Sequence, residues 1–267
     1  MSYRTIKLDH EGDVGILLLN RPEKMNAISD EMAIELCEAL DELNRDARVG
    51  AVVITGAGRA FCAGADISRF EAGIEARDNK AGDVQPRSRP RLNWIEQVRS
   101  GKPVICAVNG AAIGAGLTRT LPCDVRIASE KAKFSMRFVL VGIVPEIAST
   151  QILPQLVGLQ VSADLMLSGR TIDAEEALRI GLVLQVVDHD SLIGSAIELA
   201  QEYAGIGPTM LQETKALLYR NSVEQDITLV TRREGEAIAR CTGTAEQREA
   251  IAAFREKRQP DFRSLRR

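Results

Sequence analysis

The chain has 267 residues, of which 45% are hydrophobic and 27% charged, and its formal net charge is −3. A chain of this kind can bury a substantial core in one or two domains. The near balance of charges gives no electrostatic basis for binding nucleic acid or an anionic membrane surface, and no apolar run reaches the roughly 20 residues of a membrane span.

The N-terminal residues and the cysteines indicate a cytoplasmic protein. The start, MSYRTIKLDHEGD, lacks a basic segment followed by an apolar core, so we expect no signal peptide. The five cysteines are scattered and form no C-x-x-C pair, which favours buried, reduced thiols. With only two histidines, His10 and His189, we expect no metal site.

The N-terminal segment predicts a pair of strands and a helix. We expect paired strands at Thr5–Leu8 and Gly15–Leu19, joined by a turn at His10–Asp13. Ser29 is a good N-cap residue, and apolar side chains follow it at helical spacing, at positions 32, 36, 40 and 43.

Two apolar runs, Ala51–Thr55 and Val104–Val108, predict buried strands, and a segment of small residues follows each of them. These segments are FCAGADI at Phe61–Ile67 and NGAAIGAG at Asn109–Gly116. Small residues allow close approach of a ligand to the backbone. Two turns that each direct one amide N–H at the same carbonyl oxygen would form an oxyanion hole.

The remaining segments predict an α/β core followed by a helical region. Residues 72–91 are polar and rich in breakers, so we expect a mobile loop there. From Ser191 onward the pattern is almost entirely helical. Between these segments we expect helices at Leu92–Val98, Ala115–Leu121, Ser149–Val157 and Ala174–Arg179, and strands at Asp124–Ala128 and Gly181–Val183, with a short segment starting at Phe134.

Four motifs resemble the enoyl-CoA hydratase/isomerase (crotonase) superfamily, in its order and spacing. They are LNRPEKMNAIS at Leu19–Ser29, FCAGADI at Phe61–Ile67, KPVICAVNGAAIGAGL at Lys102–Leu117 and FREKRQPDF at Phe254–Phe262. The resemblance implies a crotonase-like spiral of ββα units at residues 1–195, which would hold the acyl-CoA site. It also implies a helical oligomerisation region at 196–267 and a homotrimer or dimer of trimers.

The resemblance assigns the two oxyanion donors to the backbone amides of Ala65 and Ala115. Ala115 would begin a helix, where unbonded amides and the helix dipole favour negative charge. The glycines at 110, 114 and 116 also imitate a dinucleotide motif, but they lie in mid-chain and no Tyr-x-x-x-Lys follows them. We therefore expect no separate cofactor; coenzyme A would enter as part of the thioester substrate.

The acid/base residues depart from the hydratase pattern. Family hydratases use two glutamates, and this chain has Thr118 and Phe138 at the corresponding positions. Glu146 matches the single glutamate of the family's Δ3,Δ2-enoyl-CoA isomerases. Its apolar neighbours, Ile143, Val144 and Ile147, predict partial burial, whereas an acid at a helix N-terminus would be exposed.

The resemblance also implies coenzyme A contacts, with Lys257 near the 3′-phosphate. The residues concerned are Lys24, Ala63, Ala65, Asp66, Ile67, Phe254 and Lys257. For Asp66, a structural role in holding the turn is the favoured interpretation, and Lys257 also fits a solvated charge run. Arg119 and Arg137 replace small or apolar family residues near the pocket, where each could form a salt bridge or bind a polar acyl group.

We therefore expect an acyl-CoA enzyme that moves the double bond of an enoyl-CoA, with Glu146 as its one acid/base. A hydratase-type lyase acting on a specialised substrate is the first alternative. A non-catalytic acyl-CoA-binding assembly module is the second alternative.

Overall fold

A computed structural model describes residues 3–66 and 94–266, in which ten strands and ten α-helices form two sheets and their covering layers. The strands are β1 (Ile6–Glu11), β2 (Val14–Leu19), β3 (Ala51–Gly56), β4 (Ala60–Cys62), β5 (Val104–Val108), β6 (Ala111–Ile113), β7 (Val125–Ser129), β8 (Lys133–Ser135), β9 (Thr171–Asp173) and β10 (Gln185–Val187). The helices are α1 (Asp30–Arg45), α2 (Trp94–Ser100), α3 (Ala115–Thr118), α4 (Ser149–Val157), α5 (Leu159–Ser168), α6 (Ala174–Arg179), α7 (Leu192–Ala204), α8 (Pro208–Asn221), α9 (Ile227–Cys241) and α10 (Ala245–Glu256).

The larger sheet has six strands in the order β1-β2-β3-β5-β7-β10. The β1–β2 pair is antiparallel, as predicted, and the other neighbours are parallel. Every residue of β3 and β5 is buried, because alternate side chains enter two different apolar clusters on the two faces. Both sheet faces are therefore covered, which explains why these strands are continuous apolar runs.

Helices cover the two faces of this sheet. Ser29 caps α1 as predicted, since its side chain accepts a hydrogen bond from the Met32 amide at 3.1 Å. The apolar side of α1 enters the larger cluster. On the other face, α7 packs against β3 and β5 through a stripe of small and aliphatic residues. The apolar residues of α7 thus belong to the core, and the predicted boundary between residues 195 and 196 falls inside this helix.

The smaller sheet has the order β4-β6-β8-β9, and each of its strands is three residues long. Strands β4, β6 and β8 are parallel, and β9 is antiparallel to β8. This sheet was not predicted as such, because three residues are too few for an alternating pattern to identify a strand.

Several predicted boundaries need correction. The first turn is tighter than His10–Asp13, since β1 continues to Glu11 and Gly12 (φ 59°) begins the reversal. The strand expected at Gly181–Val183 lies at β10 instead, because Leu182 and Val183 form a buried turn against α6. Helix α3 ends at Thr118 rather than Leu121. The helix predicted at Leu92–Val98 is present from Trp94 onward, and the loop predicted at 72–91 lies outside the described residues.

The C-terminal region is helical, as predicted, from α7 to α10. In contrast to α7, helix α9 buries only Ala237 and exposes Ile227 and Ile238. None of the helices in the described ranges is both long and apolar enough to cross a membrane.

Candidate active site

The two small-residue turns emerge side by side from neighbouring strands. Strands β4 and β6 are parallel partners, with Ala60 opposite Ala111 and Cys62 opposite Ala112. The carboxyl ends of parallel strands meet at one edge of a sheet. The segments that follow, 63–66 and 114–118, therefore begin at the same edge.

Glycines allow the two turns to touch through their backbones. A Cβ atom placed on Gly116 would collide with the carbonyl oxygen of Cys62, so α3 can pack this closely on β4 only with glycine there. Gly64 has φ +108°, and a Cβ on it would lie 3.0 Å from the Ile113 carbonyl oxygen and 3.9 Å from the Ala115 amide nitrogen. The two predicted donor segments are thus in direct contact.

Hydrogen bonds of the neighbouring residues fix the direction of the Ala65 amide N–H. The Ile28 amide donates to the Gly64 carbonyl at 2.8 Å, and the Asp66 amide donates to the Ile28 carbonyl at 3.0 Å. In a parallel pairing the residue between two such bonds directs its own N–H to the opposite side. The Ala65 amide therefore faces away from Ile28.

Ala115 is the first residue of α3, so its amide has no acceptor within that helix. The preceding Gly114 has φ 51° and ψ −118°, a conformation that suits glycine, and its amide donates to the Ser135 carbonyl at 2.8 Å. The turn before Ala115 is thereby fixed to β8.

Asn26 holds the segment before α1 against the first turn. It is fully buried, its backbone is left-handed (φ 55°), and its amide group donates to the carbonyls of Ala57 at 2.9 Å and Ala60 at 2.8 Å. Its side-chain oxygen accepts from the Arg21 amide at 2.9 Å. Sequence reasoning missed this role, although an asparagine is one of the few residues that tolerate a left-handed backbone.

Arg21 links the same segment to Asp66 in the first turn. Its guanidinium contacts the Asp66 carboxylate at 3.1 Å and donates to the Ala27 carbonyl at 2.7 Å. The Ala63 amide donates to the Met25 carbonyl at 2.9 Å, while Lys24 is exposed. Asp66 thus has a contact suited to holding the turn, and Ile67 lies outside the described residues.

Thr118 and Phe138 lie beside the second donor turn, and neither side chain carries a carboxylate. Thr118 is fully buried, and its hydroxyl donates to the Ala115 carbonyl at 3.4 Å. Phe138 is 4% exposed, and its ring atom Cζ lies 3.9 Å from the Cβ position of Gly114. An aromatic ring therefore forms one wall beside the second donor turn.

Glu146 lies in a segment that starts beside Phe138. The Ile143 amide donates to the Phe138 carbonyl at 3.1 Å, and the Glu146 carbonyl accepts from the Ser149 amide at 3.1 Å. The expectation of partial burial is wrong for the single chain, because Glu146 is exposed. The physical reason is that Val144, which is 78% exposed, and Ile143 do not pack into the core.

A small, mostly apolar pocket lies behind the two turns. Its lining residues are Leu19, Ile28, Leu36, Ile54, Phe61, Cys62, Trp94, Cys106, Gly116 and Arg119. Arg119 also lies over the Trp94 ring, 5.9 Å from its centroid, whereas Arg137 is exposed and outside this lining.

Burial raises the pKa of the Cys62 thiol to about 11, so Cys62 is not a thiolate nucleophile at neutral pH.

The predicted C-terminal contact residues lie at the end of α10. Phe254 is 85% exposed, and Lys257, also exposed, ends the helix in a left-handed conformation (φ 55°). Lys257 therefore lies one residue beyond α10, and both side chains are exposed at the same end of this helix. In residues 3–66 and 94–266, no three His, Cys, Asp or Glu side chains are grouped to hold a metal ion.

Comparisons with known proteins agree over almost the whole chain. A sequence model of the family described as Enoyl-CoA hydratase/isomerase matches residues 9–265. The chain is 37% identical over 259 residues to the short-chain-enoyl-CoA hydratase of Clostridium acetobutylicum, with 97% of each covered. It is 37% identical to the 1,2-epoxyphenylacetyl-CoA isomerase of Escherichia coli (strain K12), with 94% and 95% covered.

A solved structure extends the similarity to the fold. The enoyl-CoA hydratase from Bacillus anthracis superposes on the chain with a TM-score of 0.86 at 32% identity, with 97% and 99% of the two chains covered. The predicted α/β, crotonase-like fold with a helical C-terminal region is therefore confirmed.

Proposed function

The chain belongs to the enoyl-CoA hydratase/isomerase family, an enzyme family of the crotonase superfamily that acts on acyl-CoA, and we propose that it moves the double bond of an enoyl-CoA. The observation that carries this proposal is the contact between the two small-residue turns, with Gly64 against the Ala115 amide. The alternative of a non-catalytic binding module is not supported, because the relatives are named as enzymes.

In the proposed mechanism the thioester oxygen accepts hydrogen bonds from the Ala65 and Ala115 amides. The Ala65 amide faces away from Ile28, and the Ala115 amide has no acceptor within α3, so both are suited to bind a ligand. Electron density moves onto this oxygen when a proton leaves C2, and the two donors stabilise the resulting dienolate. Such a donor typically contributes about 2.7–4 kcal/mol to transition-state stabilisation.

Glu146 is the proposed proton carrier. Its carboxylate removes a proton from C2 of a 3-enoyl-CoA, and the carboxylic acid then returns that proton at C4, which leaves the double bond between C2 and C3. The reaction involves no net oxidation or reduction, and coenzyme A serves only as part of the substrate. Isomerisation is favoured over hydration because Thr118 and Phe138 leave Glu146 as the one matching carboxylate.

For coenzyme A itself, the proposed contacts are Lys24 in the segment before α1, Ala63, Ala65 and Asp66 on the first turn, and Phe254 and Lys257 at the C-terminal end of α10. Lys257 is exposed, so its ammonium group could reach a phosphate. The exposed Phe254 offers an aromatic face for the adenine. Ile227 and Ile238 on α9 are also exposed, which supports a homotrimer or dimer of trimers that sedimentation would test.

A hydratase-type reaction is the second candidate. It is favoured by the similarity to the Clostridium acetobutylicum enzyme, which is named a hydratase. The exposure of Glu146 would give a water molecule access to its carboxylate. In that reaction Glu146 would take a proton from water as the hydroxyl group adds at C3 and would return that proton to C2.

The test is turnover of a panel of 2-enoyl- and 3-enoyl-CoA esters by wild type and Glu146→Gln, with isomerisation and water addition both measured. We expect isomerisation by wild type and a loss of roughly 10²–10⁴ in the rate of the variant. Unchanged turnover in Glu146→Gln would overturn the proposal. Water addition without isomerisation would favour the second candidate.

A further inference from the structure

Two consecutive residues after Glu146 have a backbone conformation that their side chains disfavour. Ile147 has φ 56° and Ala148 has φ 48°, so both are left-handed. For a β-branched residue such as Ile147 this conformation is a genuine outlier. Such strain persists only where the surrounding structure imposes it, and it is concentrated at functional sites.

Contacts on both sides hold this strained pair in place. The Ile147 side chain packs against the main apolar cluster. The Ala148 carbonyl accepts hydrogen bonds from the amides of Gln151 and Ile152, each at 3.0 Å, and so begins α4. The Ser149 amide is bonded to the Glu146 carbonyl at 3.1 Å, so Glu146 is tied to the start of the same helix.

Because Ile147 and Ala148 are left-handed, Glu146 does not continue the regular turns of α4. If residues 147 and 148 were helical, Glu146 would be part of α4 and would share a face with residues 149 and 150. Ser149 is fully buried, and Ile147 is directed into the core. The reversal at 147–148 instead leaves Glu146 exposed, in the segment that begins at Phe138.

We propose that Ile147 and Ala148 are positioning residues, whose left-handed backbone fixes the direction of the Glu146 carboxylate. This inference rests on the proposed function of Glu146. Ala148 is the informative position because it is exposed, so packing of its methyl group does not explain its conformation. A Cβ atom narrows the range of left-handed backbone angles, whereas glycine would widen it.

The test compares Ala148→Gly with Ala148→Asn. Glycine relieves the strain, so we expect a thermal midpoint raised by a few degrees, a kcat at least about tenfold lower and a KM within about twofold of wild type. Asparagine tolerates the left-handed region and keeps a Cβ atom. We therefore expect Ala148→Asn to keep kcat within about threefold of wild type. Such a result would also show that substitution at position 148 does not unfold the protein.

Ala216→Gly is the matched control, because it removes the same methyl group from an exposed position within α8. It should lower the thermal midpoint, since glycine is unfavourable in a helix, and leave kcat unchanged. A wild-type kcat in Ala148→Gly, or an equal loss in Ala148→Asn, would overturn the positioning role. Retained activity in Glu146→Gln would instead refute the proposed function itself.

Discussion

Gly64 faces the amide nitrogen of Ala115: a Cβ atom built on Gly64 would lie 3.9 Å from that nitrogen and 3.0 Å from the carbonyl oxygen of Ile113. Two segments about 50 residues apart in the sequence are thus in backbone contact where β4 and β6 end. Anything larger than glycine at position 64 has to move one turn relative to the other. The spacing of the two proposed donors therefore depends on this glycine.

Gly64→Ala should consequently impair catalysis. The substitution places a methyl group against the Ile113 carbonyl and on a backbone with φ +108°. We expect kcat to fall by about 10²-fold, the typical cost of losing one oxyanion donor. The measurement is steady-state kinetics on the 3-enoyl-CoA that wild type turns over best.

Gly194→Ala is the control for that substitution. Gly194 is exposed in α7, and a Cβ on it would have no atom within 4 Å. This variant should be more stable by roughly 0.5–1 kcal/mol, because alanine is favoured in helices, with unchanged kcat. Equal kcat values in Gly64→Ala and Gly194→Ala would contradict the role of the contact.

Asn26→Ala should destabilise the protein. The substitution removes the two bonds to the Ala57 and Ala60 carbonyls and the bond from the Arg21 amide, all at a buried position. We expect the free energy of unfolding to fall by about 2–4 kcal/mol in urea denaturation. Asn26→Asp, which keeps only the acceptor, should also be destabilised. If the free energy of unfolding of Asn26→Ala differed from wild type by less than about 0.5 kcal/mol, these hydrogen bonds would not stabilise the fold.

The sequence predicted the long buried elements better than the short ones. β3 and β5 are continuous apolar runs buried on both faces, and Ser29 caps α1 in the usual way, so local patterns were sufficient. The three-residue strands β4, β6, β8 and β9 depend on pairing between distant segments. No local pattern encodes that pairing.

The site was only partly predictable for the same reason. The two glycine-rich segments could be identified because each follows an apolar strand-like run, and the family resemblance assigned one donor to each of them. The exposure of Glu146 could not be predicted, because it depends on the left-handed backbone of Ile147 and Ala148. The proximity of the Phe138 ring to Gly114 likewise involves residues 24 positions apart, and no local sequence pattern predicts it.

The double variant Thr118→Glu/Phe138→Glu tests why isomerisation is proposed rather than hydration. It restores a carboxylate at both hydratase positions, so we expect measurable water addition to a 2-enoyl-CoA. Thr118→Gln/Phe138→Gln has the same shape without the charges and should add no water. Both positions are buried, so thermal unfolding must first show that each variant is folded. Equal hydration by the two variants would contradict the assignment.

In the proposed mechanism the Ala65 and Ala115 amides bind one thioester oxygen. The most direct test is the infrared carbonyl stretch of crotonyl-CoA, ¹³C-labelled at the thioester carbon and bound to Glu146→Gln, which slows turnover. Two hydrogen bonds polarise the carbonyl, so we expect a lower stretching frequency than for the free ester in water. We also expect this shift to be lost when Gly64→Ala is added. A bound ester whose frequency equals that of the free ester would contradict this mechanism.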